Sequence, residues 1–286
     1  MSNNNMTKNA IVVLAIGKKY EEILRSQKPQ LEAYAARCNA NLEIRTEPPD
    51  ELNRGHLFTQ KLLLPSLYIQ YEWIAFLDLD IVISSIAPSI FDSIHPNKAF
   101  GAVIDQRKSR CFRMANKYWH RQERLNQTAV DLFYSEKGFK PHPKVKATIN
   151  GGVWLCKPIE IAHIFKKFYE ESVRNNQADY IYEEIPMSYL AHTNDQFFPL
   201  NPRFNKQVIY EIFKFGAPMY WICRIQKKIN KRLEKYLGLG ENYFISSCYR
   251  KFITQLLGKN YILHFSGNFP IPKNSKNTIS KSSMSD

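Results

Sequence analysis

The run of residues from Trp73 to Ile83, WIAFLDLDIVI, constrains the fold of this chain more than any other stretch. Its length and its content of aromatic and β-branched residues predict a buried central strand. Asp78 and Asp80 interrupt the run, and an ionised carboxylate in apolar surroundings is costly unless a partner neutralises it. Carboxylates one residue apart lie on the same side of an extended strand, and hard oxygen ligands suit Mg²⁺ or Mn²⁺. The run therefore predicts either a metal site that binds phosphates or a strand end that enters a polar loop.

Composition narrows the class of protein without fixing its function. The 286 residues are enough for one large α/β domain, and an apolar content of 44% allows a sizeable core. The net charge of +14 predicts attraction to anions such as nucleic acid, anionic lipid or a phosphorylated substrate. The five cysteines are scattered without a CxxC pair, which indicates reduced thiols. No stretch has the length of a transmembrane helix or a signal peptide's apolar core, so we expect a cytoplasmic protein, with peripheral membrane contact as an alternative.

Strand and helix patterns alternate through the first 83 residues. Strands are predicted at 10–17 and 42–46, and helices at about 21–38 and 58–70, before the central strand. This order predicts an α/β, Rossmann-like, mostly parallel sheet flanked by helices. Ligands of such sheets bind beyond the carboxyl ends of the strands, which places residues 15–17 and the two aspartates along one rim.

The second half of the chain adds shorter elements. Strands are predicted at 100–105, 148–155, 196–200 and 261–267, and a helix at 159–174. Gly151 and Gly152 would let the backbone approach a ligand closely. Glu183 and Glu184 precede Pro186 at the predicted start of another helix, where they either compensate the helix dipole or serve a site.

One domain is predicted over residues 10–268, between disordered segments at 1–9 and 274–286. Within it, residues 206–260 are expected to form a basic helical appendage whose longest helix spans 217–237. Such a helix either lies on an anionic membrane or packs on its own domain. Its apolar face is predicted to comprise Ile222, Ile225, Ile229, Leu233 and Tyr236.

Taken in order, these pieces resemble nucleotide-sugar glycosyltransferases of the GT-A fold, of the glycogenin and lipopolysaccharide-galactosyltransferase type. The resemblance covers about residues 10–205 and 261–268. The segments that carry it are Ile11–Gly17, Lys61, Asp78-Leu79-Asp80, the strand ending in Asp105, Asn150-Gly151-Gly152, the acidic pair before a helix, Arg203-Phe204-Asn205 and His264-Phe265-Ser266-Gly267. The family usually has Lys-Pro-Trp after the last motif and Asp-Gln before the catalytic helix, whereas this chain has Asn268-Phe269-Pro270 and Glu183-Glu184.

The resemblance implies a metal-dependent transferase that moves a sugar from a nucleoside diphosphate sugar, with UDP favoured, to a hydroxyl of a glycan or lipid-linked acceptor. Asp78, Asp80 and His264 would hold Mn²⁺ or Mg²⁺, and the imidazole favours Mn²⁺. Glu184, or else Glu183, would be the base of an inverting reaction, although a retaining reaction stays open. The donor would contact Ala15, Ile16, Gly17, Lys61 and Asp78 on its nucleotide side, and Asp105, Asn150 and Gly151 on its sugar side. Gly152 also belongs to the expected nucleotide-sugar site.

Two other classes stay open. Residues 78–82 also match the D-x-D-x-[TV] nucleophile motif of haloacid-dehalogenase-type phosphatases, but no later Asp-Asp or Gly-Asp-x-x-x-Asp follows in the sequence. A non-catalytic nucleic-acid-binding protein would fit the positive charge. No recognised signature of RNA or DNA binding accompanies that charge, so no nucleic-acid partner is expected.

Overall fold

The computed structural model describes residues 8–105, 109–118, 130–175, 182–239, 243–266 and 269–272. The predicted disordered tail lies outside these ranges, as do the first seven residues. Asn9, which was predicted to be disordered, belongs to the first strand.

A mixed sheet with six strands forms the centre of the fold, and it is mostly parallel, as predicted. The strands of the chain are β1 (Asn9–Leu14), β2 (Asn41–Arg45), β3 (Trp73–Leu77), β4 (Ile81–Ile83), β5 (Phe100–Ile104), β6 (Ile149–Cys156), β7 (Phe197–Pro199), β8 (Lys206–Gln207) and β9 (Ile262–His264). The central sheet has the order β2-β1-β3-β6-β5-β7. Strand β6 runs antiparallel to both of its neighbours, and the other pairs are parallel.

The helices predicted at 21–38, 159–174 and 217–237 are present close to those bounds. The α-helices are α1 (Lys18–Arg37), α2 (Leu57–Gln60), α3 (Leu64–Leu67), α4 (Arg110–Tyr118), α5 (Val130–Ser135), α6 (Pro158–Arg174), α7 (Glu184–Thr193), α8 (Val208–Phe215), α9 (Ala217–Leu237) and α10 (Ser247–Leu257). Short 3₁₀ helices span Lys61–Leu63, Ile90–Ser93 and Pro202–Asn205. The helix predicted over residues 58–70 is divided at the first of these, just before Pro65.

Both faces of the central sheet are covered by helices, and alternate side chains of β1 contribute to two different cores. Ile11 and Val13 belong to a core that includes buried residues of α1. Ala10 and Val12 point to the opposite face and belong to a second core with buried residues of α6. Burial on both faces explains why this strand reads as a continuous apolar run.

The predicted central strand is interrupted, so the prediction of one strand over residues 73–83 was wrong. Strand β3 ends at Leu77, and the chain passes through residues 78–80 into β4. Strand β4 belongs to a second sheet with the order β4-β9-β8, in which Ile81 pairs with His264. Two carboxylates cannot enter the buried centre of the first sheet without partners, so the chain leaves that sheet where they occur.

The C-terminal helices α8, α9 and α10 pack around a third core, to which the second sheet contributes Val82 and Leu263. The helix predicted at 217–237 is confirmed as α9. Its predicted apolar face was wrong in part: Ile225 and Tyr236 are 55% and 72% exposed, whereas Ile222 is half-buried against the third core. Among the described residues, no helix combines the length and the apolar character that crossing a bilayer demands.

Polar side chains occupy part of the buried face of α9. Its buried residues are Met219, Cys223, Gln226 and Asn230. The Asn230 amide donates to the carbonyl of Phe244 and accepts from its N–H, and Gln226 accepts from the N–H of Ser246. These amides satisfy the backbone of the segment before α10. The spacing of apolar residues could not predict the buried face of α9, because two of its four buried residues, Gln226 and Asn230, are polar.

Candidate active site

A cavity of about 320 Å³ lies where the carboxyl end of β3 meets the second sheet. Most of the predicted site residues line it: Lys61, Asp78, Asp80, Asp105, Asn150, Gly151, Gly152, Glu183, Glu184 and His264. Ala15, Ile16 and Gly17 are not part of its lining. They directly follow β1, which is the neighbour of β3 in the central sheet.

Residues 78–80 form the crossing from the first sheet to the second, and two backbone hydrogen bonds hold the aspartates of this crossing in place. The N–H of Asp78 donates to the carbonyl of Gly152 in β6 at 2.8 Å. The carbonyl of Asp80 accepts from the N–H of Phe265, directly after β9, also at 2.8 Å. One aspartate is therefore held against the first sheet and the other against the strand that carries His264.

These contacts bring Asp78, Asp80 and His264 together as predicted. His264 Nε2 lies 3.2 Å from Asp80 Oδ1 and 3.8 Å from Asp78 Oδ2, and the three candidate ligand atoms lie within 4.8 Å of one another. Two ligands that bind one small cation at about 2.1 Å lie about 3 Å apart when adjacent and about 4.2 Å apart when opposite, so the two distances from His264 Nε2 fit such an ion. His264 is buried, whereas both aspartates are partly exposed. The group could therefore hold a divalent cation and leave positions open toward the cavity.

The ammonium of Lys61 is buried between two carboxylates. Its Nζ donates to Asp78 Oδ1 at 2.9 Å and to Glu183 Oε1 at 2.8 Å. Burial alone lowers the pKa of an ammonium, but the charges of Asp78 and Glu183 raise the pKa of Lys61 above its ordinary value. Lys61 therefore remains charged, and its hydrogen bonds orient Asp78.

One ammonium cannot neutralise all the acidic groups around it. Burial raises the pKa of Glu183 to about 7, although Lys61 opposes the rise, and burial also raises the pKa of Asp78. Burial works against ionisation of Asp80 as well, but His264 holds the pKa of Asp80 below its ordinary value. Burial lowers the pKa of His264, yet Asp80 raises it by more. When the three carboxylates are ionised and His264 is neutral, the cluster has two negative charges in excess, which one divalent cation would balance.

The two glutamates at the start of α7 have different surroundings. Glu183 is buried and bonded to Lys61, whereas Glu184 is partly exposed to the cavity. A Cβ atom at Gly151 would lie 3.0 Å from Glu183 Oε1 and 3.3 Å from Glu184 Cβ. Glycine at this position of β6 therefore allows the start of α7 to approach the strand closely.

Asn150 and Asp105, both predicted to face a donor sugar, line the cavity, and one side-chain oxygen of each accepts hydrogen bonds from protein groups. Asn150 Oδ1 accepts from the N–H of Gly152 at 3.1 Å and from Asn205 Nδ2 at 2.7 Å. Asp105 Oδ1 accepts from the hydroxyl of Tyr210 at 3.0 Å. Their contact with a sugar remains a prediction.

Several lining residues were missed by sequence reasoning: Phe58, Phe112, Tyr182, Gln207, Tyr210 and Ser266. Aromatic residues in a chain with this many of them give no pattern that separates cavity from core. Ser266 lies within a motif that carried the resemblance, and so does Asn205, which donates to Asn150. Their positions in those motifs were the sequence signal that could have assigned both residues to the site. The sequence also has an Asp-Gln pair at Asp195-Gln196, directly before β7, but Asp195 does not line the cavity and forms an ion pair with Lys98.

Several solved structures with a similar fold are glycosyltransferases. One is a glycosyltransferase involved in glycosylation of the major capsid of PBCV-1, with 13% identity, a TM-score of 0.50, and coverage of 90% of this chain and 93% of that one. Another is the galactosyltransferase LgtC in complex with donor and acceptor sugar analogs, with 14% identity, a TM-score of 0.50, and coverage of 90% and 87%. A third is the bifunctional glycosyltransferase WbbM, with 11% identity and a TM-score of 0.51; the match covers 93% of this chain and 47% of WbbM.

No protein-family model matches the sequence, and no curated protein matches it. At identities this low, the similar structures establish the fold alone. They confirm the predicted GT-A fold, with its mostly parallel sheet flanked by helices.

Proposed function

We propose that this chain is a glycosyltransferase that moves a sugar from a nucleoside diphosphate sugar, with a UDP-sugar favoured, to a hydroxyl of a glycan or lipid-linked acceptor. The observation that carries the proposal is the group Asp78, Asp80 and His264, which lines a cavity of a GT-A fold. The similar structure of LgtC, which contains donor and acceptor sugar analogs, supports a donor sugar and an acceptor sugar as the two substrates.

The metal-binding residues would be Asp78, Asp80 and His264, with Mn²⁺ favoured over Mg²⁺ because one ligand is an imidazole. A cation bound there would offset the negative charge that develops on the departing diphosphate. The protein's own part is to hold the ligands in place. Lys61 orients Asp78, and the pairing of β4 with β9 aligns His264 with the crossing.

Glu184 is the proposed base that accepts the proton of the acceptor hydroxyl. Its exposure to the cavity supports this role, whereas the Oε1 atom of Glu183 is bonded to Lys61. A base on the acceptor is what an inverting transfer needs, so we propose inversion. The anomeric configuration of the product, read by NMR, decides the matter; a product with the configuration of the donor rules inversion out.

The remaining subsites follow from position. Ala15, Ile16 and Gly17 would border the nucleotide, because they follow the strand next to β3. Asp105, Asn150 and Gly151 line the cavity and would face the donor sugar, and Gly152 lines the same cavity.

The two alternative classes lack such support. In a haloacid-dehalogenase-type phosphatase the nucleophile strand normally opens the fold, whereas here the two aspartates follow the third strand of the chain, in a GT-A fold. A nucleic-acid-binding protein would not need three metal-ligating side chains in a cavity. Release of phosphate from a generic ester would revive the first class, and a gel shift with steep salt dependence would revive the second.

We further propose that the protein is cytoplasmic and contacts anionic membrane through the outer face of α9. Trp221 and Ile225 are each 55% exposed on this helix. Lys228 and Arg232 are exposed one and two turns further along the same face. Apolar and basic side chains on one exposed face are typical of a helix that lies in an anionic interface.

The substitution Asp80→Asn tests the proposed function. It keeps the size of the side chain but removes a charged ligand, so we expect metal-dependent nucleoside diphosphate binding and sugar transfer to fall by about 100-fold or more. Asp92→Asn, at an exposed aspartate of a 3₁₀ helix, is the matched control and should leave both unchanged. Transfer that survives in Asp80→Asn, or in wild type with excess chelator, would contradict the metal site.

A further inference from the structure

The imidazole of His264 is held on the side opposite the aspartates by two asparagines. His264 Nδ1 lies 3.0 Å from Asn205 Oδ1 and 3.2 Å from Asn150 Oδ1. Asn205 is buried and lies at the end of the 3₁₀ helix before β8. Neither the resemblance nor the sequence pattern gave Asn205 a role.

A backbone amide determines which way both asparagine side chains point. The N–H of Gly152 can only donate, and it donates to Asn150 Oδ1 at 3.1 Å. That oxygen in turn accepts from Asn205 Nδ2 at 2.7 Å. Because Asn205 turns its nitrogen toward Asn150, its oxygen faces His264. The orientation of the amides follows from a fixed donor, which removes the usual ambiguity between amide nitrogen and oxygen.

Two acceptor oxygens at Nδ1 favour a proton on that nitrogen of the imidazole. A neutral imidazole has one N–H and one lone pair, and oxygen atoms of amides can only accept. A neutral His264 that keeps both of these contacts carries its proton on Nδ1. Its lone pair is then on Nε2, which lies 3.2 Å from Asp80 Oδ1, a further acceptor that competes for the proton until a cation binds Nε2. We propose that Asn205 and Asn150 are positioning residues that hold His264 in the Nδ1–H tautomer, with Nε2 ready to bind a divalent cation. The proposal extends the metal site of the proposed function to the shell of residues around it.

Glycine at position 152 makes the arrangement possible. A Cβ atom there would lie 2.2 Å from His264 Cε1 and 2.6 Å from Nδ1, closer than side-chain atoms can approach. The imidazole occupies the space that any other side chain would fill. Gly152 thus supplies both the room for the ring and the N–H that orients Asn150.

The experiment compares wild type with Asn205→Leu, which keeps roughly the volume of the side chain but removes both of its polar atoms. In the metal-free proteins, the ¹⁵N signals of His264 are first followed as a function of pH to obtain the pKa of its imidazole. The tautomer is then read from the ¹⁵N spectrum at a pH above that pKa, where the ring is neutral. We expect wild type to show a protonated Nδ1 and an unprotonated Nε2, and Asn205→Leu to show a mixture of tautomers. Mn²⁺ affinity, measured by the EPR signal of free Mn²⁺, should fall by about 10- to 100-fold in the variant.

Asn201→Ser is the matched control, because Asn201 caps the same 3₁₀ helix through its side chain, and serine can do the same. This variant should keep the tautomer and the Mn²⁺ affinity of wild type. Circular dichroism and the melting temperature show whether each variant is folded, and Asn150→Leu provides a second test if Asn205→Leu is not. An Nε2–H tautomer in wild type, or a folded Asn205→Leu with unchanged tautomer and affinity, would overturn the inference.

The tautomer readout also separates this inference from the proposed function. If wild type binds no Mn²⁺, the proposed metal site fails, but the tautomer spectra still confirm or refute the role of the asparagines. If wild type binds Mn²⁺ and Asn205→Leu binds it equally, the metal site stands and the inference fails.

Discussion

Glu183 and Glu184 are adjacent in sequence but differ in what they contact, and this difference should appear in kinetics. Glu184→Gln removes the proposed base from the cavity, so we expect kcat to fall by about 10²- to 10⁴-fold with little change in the KM for the donor. Its melting temperature should stay close to that of wild type, because Glu184 is partly exposed. Steady-state kinetics with saturating Mn²⁺ and thermal unfolding provide the two measurements.

Glu183→Gln is the paired variant for that comparison. Glutamine keeps an oxygen that can accept from Lys61 but removes one of the negative charges near the metal ligands. We therefore expect weaker Mn²⁺ binding and a smaller loss of kcat than in Glu184→Gln. The opposite order, with Glu183→Gln the slower enzyme at saturating Mn²⁺, would transfer the role of base to Glu183.

At the scale of elements, α9 carries the prediction about membranes. We expect the protein to co-sediment with vesicles that contain anionic lipid at low salt, and the double variant Trp221→Ser, Ile225→Ser to bind less, because it removes the exposed apolar contacts of that face. Added salt should weaken binding by screening Lys228 and Arg232. Leu52→Ser, at another exposed apolar residue, is the control. No binding to anionic vesicles at low salt would remove membrane contact from the proposal.

Helix α6 and the loop before α2 are joined by Asp50, which predicts how stability depends on pH. Burial raises the pKa of Asp50, but hydrogen bonds from Arg54 and Tyr169 outweigh it and lower the pKa to about 2. Because the folded protein favours the ionised form, Asp50 stabilises the fold above its ordinary pKa near 3.8 and loses this effect as the pH falls toward 2. The stabilisation at neutral pH is on the order of 2 kcal/mol.

We therefore expect Asp50→Asn to unfold at lower urea concentration than wild type at neutral pH. The difference in the free energy of unfolding should narrow as the pH falls from about 4 toward 2, where wild-type Asp50 also becomes neutral. Asp92→Asn is again the control, since Asp92 is exposed. A difference that stays constant over this range would show that the hydrogen bonds, and not the charge, account for the effect.

At the scale of the whole molecule, the proposed site links folding stability to two ligands at once. A ligand that binds only the folded state stabilises it by about 2.7 kcal/mol at 100 times its Kd. We expect the melting temperature to rise by several degrees with Mn²⁺ and UDP together, less with GDP, and little with either nucleotide in the presence of chelator. Scanning fluorimetry with a panel of nucleoside diphosphates checks this. An equal shift with UDP in chelator would contradict binding through the metal.

Periodicity predicted most elements of the fold, and it failed where polar side chains have structural partners. The central strand was predicted to be continuous because its apolar residues continue to Ile83, but the chain changes sheets at Asp78 and Asp80. The apolar face of α9 was misplaced because Gln226 and Asn230 are buried to bond a neighbouring segment. Such errors are expected, since hydrophobicity patterns do not show which polar groups will find partners.

The sequence by itself determined the α/β class, the mostly parallel sheet, and the types of residue that form the site, because these follow from local spacing and from the order of motifs. Only the tertiary structure decided that Asp80 and His264 lie 3.2 Å apart, that Lys61 is held between Asp78 and Glu183, and that Asn205 faces the imidazole. These are contacts between segments far apart in the chain, and their geometry depends on how two sheets meet. That meeting is fixed by backbone hydrogen bonds such as the one from Phe265 to Asp80, which no pattern of neighbouring residues encodes.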